Sequence, residues 1–343
     1  MTSPNTKLNQ ETIRHLLIAA YLKTRKNKRS TVNTHNFEVN LLDRLNALAY
    51  KINNRIHELG ASTGFVNHTP VDREIFAAQF EDRILHTLLV MIIEQFWDPR
   101  LDKNSFSCRK GKGTKNGVDT LKQDALSCSQ NYTIPIAAIK LDFKKYFMSI
   151  IRKRLYERVL WGLDRQFPHK NDVYYLMRYL AHLIYLDEFD RFIRFELKIK
   201  YYGRYVDDSY ILIPESERAA FLREKMPLIR AKAAEMGLEL HPKKFYCQNF
   251  QKRGIEFIGA RILPYRTLPG NRLKKNFKKA VFDVMMGRKG PETIQSYLGL
   301  LSHFDADNLI KQTFDQVGWD YPYGHLKTPA CHPEHSSCHP ERA

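Results

Sequence analysis

Three aspartates are the residues of this chain best placed by type and spacing to do chemistry. Two are adjacent, Asp207 and Asp208 in YYGRYVDDSYILI; the third, Asp142, follows the apolar run of IPIAAIKLDF. Each alone has a plain structural reading, since Asp favours tight turns and can cap the end of a buried strand. Together they match what a two-metal site requires. Two Mg²⁺ ions about 4 Å apart must be held by carboxylate oxygens from different segments, and clustered carboxylates repel one another unless a cation holds them. One ion would lower the pKa of an attacking hydroxyl, and the other would hold a triphosphate and its leaving pyrophosphate.

The flanking sequence predicts the elements that would position these groups. Tyr201, Tyr202, Tyr205 and Val206 precede the pair, and Tyr210, Ile211, Leu212 and Ile213 follow it. Both runs favour strands, so the stretch reads as a short hairpin with two charges at its bend. Residues 134–141 read as a buried strand that runs into a turn or helix start. Upstream, an amphipathic helix covers the apolar patch at 16–21, followed by the basic loop KTRKNKRS. Leu41, Leu45, Leu48 and Ile52 fall at helical spacing. REIFAAQF is strand-like, and EDRILHTLLVMIIEQFWDP reads as a buried helix stopped before Pro99. Residues 104–117, NSFSCRKGKGTKNG, read as a Gly-rich basic loop.

Downstream of the hairpin, SERAAFLREKMPLIRAKAAEMGLEL predicts a helix ending near Gly237. KKFYCQN and GIEFIGARIL predict two strands, and NRLKKNFKKAVFDVMMGRK and PETIQSYLGLLSHFDADNLIKQTF two helices, the first strongly basic. The tail repeats a Cys-His-Pro-Glu unit. Cys331, His332, Cys338 and His339 make a poor zinc set, because adjacent Cys and His rarely reach one ion and little apolar sequence frames them. A disordered end is expected over 327–343.

With 343 residues, 43% of them hydrophobic, the chain can bury a sizeable core. Its 55 Lys and Arg against 37 Asp and Glu leave a net charge of +18, which makes a polyanion the leading class of partner. No apolar run is long enough to span a bilayer, and the N-terminus lacks the layout of a signal peptide. Five Cys without framework spacing suit a reducing compartment, so a cytoplasmic location is expected.

The order KLDFKKYF then YVDD resembles the palm of a reverse transcriptase, and the likeness extends from about residue 37 to residue 314. REIFAAQFEDRILH resembles the finger motif around the incoming nucleotide, and SFSCRKGKGT the loop that follows it. GLELHPKKFYC resembles the lysine-bearing segment after the catalytic hairpin, and GIEFIGARI the grip hairpin beyond it. FMSI, YYGRYVDD and SYLGLLSHF are similar to the bacterial group that includes diversity-generating retroelement and group II intron enzymes.

This resemblance implies an α+β right-hand fold. An N-terminal helix and basic extension would cover 1–36, fingers and an antiparallel-sheet palm 37–263, and a helical thumb 264–326. It implies RNA-templated DNA synthesis from dNTPs on a primer, with Mg²⁺ held by Asp142, Asp207 and Asp208. Phe147 would occupy the steric gate against a ribose 2′-OH, or else be an ordinary core aromatic. Arg73 would meet the triphosphate or serve as a surface or salt-bridged Arg. Arg109, Lys110 and Lys112 would contact phosphates or template, or form a solvated loop, and Lys243 or Lys244 would approach the leaving pyrophosphate. For a retroelement enzyme the resemblance further implies a structured template RNA, the cDNA and a small basic accessory protein.

One family element is missing. Reverse transcriptases carry a segment of the type LPxGxxxSQ between the two catalytic motifs, whereas residues 151–200 contain no such run and a single Gly, Gly162. Asp142 and Asp207 are 65 residues apart, fewer than expected for the group, consistent with an internal deletion ending near Ala181. The floor under the nucleotide is then expected to be incomplete, and positioning errors of about 1 Å can cost ~10²-fold in rate. Two other functions use the same features: a non-catalytic, maturase-like RNA-binding protein and, more distantly, a metal-dependent nuclease.

Overall fold

The computed structural model describes residues 10–26, 32–54, 56–58, 60–67, 73–151, 153–155, 157–158 and 185–319. Helices and antiparallel sheets are mixed along the chain, which divides into two compact units, each assembled from three separated stretches.

The first unit comprises Met1–Lys110, Phe143–Lys200 and Glu224–Leu240. Its helices Gln10–Arg25, Val32–Glu38, Leu41–Asn53 and Phe80–Trp97 bury one apolar cluster that includes Leu17, Leu48, Leu85 and Leu89. The predicted stripe is seen in Leu45, Leu48 and Ile52, which are buried while the polar faces stay wet. Phe37 sits among Tyr21 and Phe80 with ring centroids 6.2 and 5.3 Å away, and Arg25 closes the edge by pairing with Glu38 at 2.6 Å. Strands β1 (Thr63–Asn67) and β2 (Arg73–Ala77) form a two-stranded antiparallel sheet.

A polar cluster joins the later stretches of this unit. Arg154 pairs with Glu188 and Glu235 at 2.7 and 2.8 Å, and Lys232 reaches Glu188 at 2.7 Å. Tyr185 donates from its hydroxyl to the Met236 carbonyl.

The second unit comprises Gly111–Asp142, Tyr201–Arg223 and His241–Ala343. Its central sheet has the order β4-β5-β3-β6, with β3 Ile136–Asp142, β4 Tyr201–Tyr205, β5 Asp208–Pro214 and β6 Tyr246–Asn249, every pairing antiparallel. All seven residues of β3 are buried, Lys140 and Asp142 among them, as expected of a strand paired on both edges. Helix Thr114–Cys128 packs against β4. The first turn of that helix takes the end of the expected 104–117 loop. Gly113, at φ 111, turns the chain and lets the helix start at Thr114.

Two other expectations are corrected. GIEFIGARIL, read as one strand from its apolar pattern and as a hairpin from the resemblance, is a hairpin of β7 (Ile255–Phe257) and β8 (Ala260–Ile262), extended by β9 (Thr267–Pro269). Ile258 and Gly259 both have positive φ, 51 and 74, the pattern of a type I′ turn, which a Gly at the second position favours. The last apolar stretch is two helices, Glu292–Leu301 and Asp307–Asp315. The break is pinned where Asp305 bonds Thr267 twice, N–H to carbonyl at 2.8 Å and carboxylate to N–H at 2.7 Å. These helices and Asn271–Met285 enclose Phe277, Val281, Leu301 and Ile310. Among the described residues no helix is long and apolar enough to cross a membrane.

Candidate active site

The register of the central sheet brings two of the three aspartates together. Asp142 stands opposite Asp208, and Lys140 opposite Tyr210, so all four side chains share one face. Tyr205 pairs with Asp208, leaving Val206 and Asp207 as the two-residue turn of the predicted hairpin. Val206 has φ 56 and Asp207 has none above zero, the pattern of a type II′ turn, whose first central position suits Gly. A β-branched residue there is strained. Buried Arg204 steadies the bend by donating to the Val206 carbonyl at 2.9 Å.

Aromatic groups build the floor beside these carboxylates. The Tyr210 ring crosses Gly203, where a Cβ would come within 2.5 Å of it, and its hydroxyl donates to Asp124 at 2.8 Å. This is why the strand carries a glycine at a position that otherwise weakens it. Phe257 meets Tyr210 edge-on at 5.0 Å, and the Lys140 ammonium lies 5.4 Å from the Phe257 centroid.

Each of the opposed aspartates is held by a lysine. Lys244 Nζ stands 3.0 Å from both oxygens of Asp142, whose backbone carbonyl accepts from the His241 N–H at 2.7 Å. Lys140 contacts Asp208, whose other oxygen accepts from the Ile258 N–H at 3.3 Å. Burial pulls the Lys140 ammonium down to about 7, against the raising influence of Asp142, Glu256 and Asp207. Burial also pushes the Asp207 carboxyl above its ordinary value, and Asp142 adds to that, while its own backbone N–H, Lys244 and Lys140 oppose it. In these rotamers no group of three or more His, Cys, Asp or Glu among the described residues is gathered closely enough to hold a metal ion.

Comparison with known proteins finds distant structural matches, among them two telomerases. No protein-family description and no curated protein matches the chain. Among solved structures, apo telomerase from Candida tropicalis aligns with TM-score 0.45 and 12% identity, covering 76% of this chain and 58% of that one. Telomerase from Candida albicans, in complex with the TWJ fragment of telomeric RNA, aligns with TM-score 0.46 and 10% identity, covering 78% of this chain and 56% of that one. The chain thus spans little more than half of either neighbour. Matches this distant assign neither family nor activity.

The remaining candidates divide between the two units. Lys244 is the lysine that reaches a carboxylate, while Lys243 is exposed and donates its backbone N–H to His241 Nδ1 at 3.2 Å. Lys112 lies in the second unit, just before helix Thr114–Cys128, and exposed Lys110 is the last residue of the first unit's opening stretch. Arg109 ties its own loop together, bonding the Asp98 carboxylate at 2.6 Å and the carbonyls of Asp98, Asp102 and Ser105 at 2.8, 2.7 and 3.1 Å. Phe147 belongs to the first unit and is 58% exposed, with its neighbour Tyr146 taking the buried position. That excludes the core-aromatic reading. Arg73 opens β2 opposite Asn67, and its side chain lies outside the described residues, as do the Cys-His tail and the 159–184 stretch.

Sequence reasoning missed Lys140 and Arg204. A signal was present for both, because a charged residue inside an otherwise apolar strand must find a partner.

Proposed function

We propose that this chain is an RNA-directed DNA polymerase of the bacterial retroelement type, adding dNTPs to a primer on an RNA template. One observation carries the reading: Asp142 faces Asp208 across adjacent strands of a buried sheet, with Asp207 at the hairpin tip beside them. Asp142 and Asp207, with Asp208 next to them, would hold Mg²⁺, which when bound supplies Lewis-acid activation of the primer hydroxyl and charge neutralisation of the triphosphate. Their donor chemistry suits such ions: they are acceptor-only groups on neighbouring segments, and Asp142 raises the Asp207 carboxyl as one negative charge does another. Lys244 would move from Asp142 to the leaving pyrophosphate, and exposed Phe147 would act as the 2′-OH gate. In this reading the central sheet would form the palm, and the basic helix Asn271–Met285 with its two successors the thumb, its cations suited to a duplex backbone.

Primer extension on poly(rA) with an oligo(dT) primer, dTTP and Mg²⁺ tests this reading. Incorporation that disappears in Asp207→Ala supports it. RNA binding without incorporation, even with Mn²⁺, overturns it.

A second reading, RNA binding without chemistry, is favoured by the lysine pairing of Asp142 and Asp208. It expects salt-sensitive RNA affinity that Asp207→Ala leaves unchanged.

A further inference from the structure

The first unit contains a cleft of about 490 Å³ that uses none of the residues discussed above as catalytic. One wall carries Arg100 and Lys103, and the other Arg191, Arg194, Lys198 and Lys200, against a single acid, Asp102. That acid is already neutralised. Arg194 grips it with Nε at 2.9 Å and a terminal nitrogen at 3.4 Å, both side chains about nine-tenths buried at 10% and 9% exposure. The pair ties the two walls, and the Asn104 N–H adds a bond to the same carboxylate at 2.8 Å. The cleft is therefore braced from within, and its net charge is strongly positive.

An aromatic face lies among these cations. Phe195 lines the cleft yet is 68% exposed, and the Arg191 guanidinium lies 5.5 Å from its ring centroid. The backbone here departs from a regular helix: Phe192–Glu196 is a π-helical turn, and Lys198 follows in the left-handed region at φ 54. Such turns are uncommon and recur at functional sites.

We propose that this cleft binds a single-stranded segment of RNA, one base stacking on Phe195 while the flanking phosphates meet Arg191 and Lys198. Each repeat of a single strand brings one anion and one π face, the two things this cleft offers partners for. An acidic peptide brings the charge without the face. A duplex backbone presents phosphates but keeps its bases stacked inside. The proposal goes beyond the polymerase reading, because the cleft would hold RNA whether or not the carboxylates act.

The test uses a dodecamer RNA carrying 5-iodouridine, with the full chain in EDTA so that no divalent metal takes part. Photocrosslinking is followed by peptide mapping, and affinity is read by fluorescence anisotropy across a salt series. The crosslink is expected at Phe195. Phe195→Ala is expected to remove it and to weaken binding about tenfold, with Phe195→Tyr restoring both. Arg191→Gln with Lys198→Gln should flatten the log K against log salt slope by about 1.4, the loss of two phosphate contacts to a single strand. All three side chains are exposed, so the variants should keep the parent melting curve. Crosslinks found only elsewhere, or an unchanged affinity and slope, would overturn the proposal. So would displacement of the RNA by polyglutamate with Phe195→Ala binding as the parent does, which would assign the cleft to an acidic peptide. Primer extension with Asp207→Ala is scored separately, so failure of either reading leaves the other measurable.

Discussion

Lys244 and Asp142 form a two-oxygen contact, the ammonium 3.0 Å from each carboxylate oxygen. Lys244 is 57% exposed at its side chain while Asp142 is 10% exposed, so the lysine can leave at little cost and the aspartate cannot. A cation that enters this site must compete with that ammonium.

Removing the competitor should therefore expose the site. Lys244→Met is expected to tighten Mn²⁺ binding about tenfold, roughly the loss of one exposed, charge-assisted contact. Electron paramagnetic resonance of free Mn²⁺ reads this directly, without activity. Equal affinity in the parent, Lys244→Met and Asp142→Asn would show that these carboxylates take no metal.

The turn that carries Asp207 is strained at Val206, φ 56. Strain of this kind costs about 1–3 kcal/mol, and glycine relieves it at about 0.5–1 kcal/mol of chain entropy. Val206→Gly should then stabilise the fold by about 1 kcal/mol, seen as a higher urea midpoint with an unchanged slope. A lower midpoint would mean that the Val206 side chain contributes more than its backbone strain costs.

Gly203 faces the opposite demand, because a Cβ there would meet the Tyr210 ring at 2.5 Å. Gly203→Ala is expected to destabilise by about 2 kcal/mol through overpacking. The same substitution placed on Tyr210→Ala should cost much less, since the colliding ring is gone. Additive costs in this double-mutant cycle would show that the ring is not what excludes the methyl.

Acid sensitivity is expected from Glu188. Burial raises its carboxyl, but the hydrogen bonds from Arg154 and Lys232 outweigh that, leaving it below the ordinary value of 4.5. A carboxyl depressed in the fold contributes its stability above 4.5 and loses it as pH falls through the lower folded value. Stability should thus decline as pH drops from 4.5 toward that lower value, and Glu188→Gln should flatten the decline while costing about 1 kcal/mol at pH 7. An identical pH profile in parent and variant would remove Glu188 from the acid response. Glu235 shares both cations and shifts the same way, so the double variant should be less than additive.

The hairpin and its bend were legible because strand-forming runs flank two acids, and period-two alternation then fixes which side chains share a face. Asp142 was legible as the end of a buried strand. Its register against Asp208 was not, because pairing between residues 66 positions apart depends on the whole sheet. The hairpin inside GIEFIGARIL escaped the apolar pattern because its turn begins with Ile258, a residue that normally continues a strand. The broken helix at 302–306 escaped for a similar reason: the stop comes from Asp305 meeting Thr267, a distant partner, rather than from Gly or Pro. Arg109 read as a phosphate or template contact or as part of a solvated loop; the fold adds four nearby acceptors that already engage it.

The chain leaves the sheet unit directly after Asp142 and returns at Tyr201, so the described residues between them belong to the other unit. An insertion or deletion in 143–200 therefore falls in the other unit, not in the strands that carry the aspartates. Closing a shorter or longer loop alters the entropy of pairing slowly, by about 0.6 kcal/mol per doubling. The strands that carry the aspartates can thus keep their partners while the length of the intervening stretch changes. The same connectivity also means that no single proteolytic cut frees either unit intact.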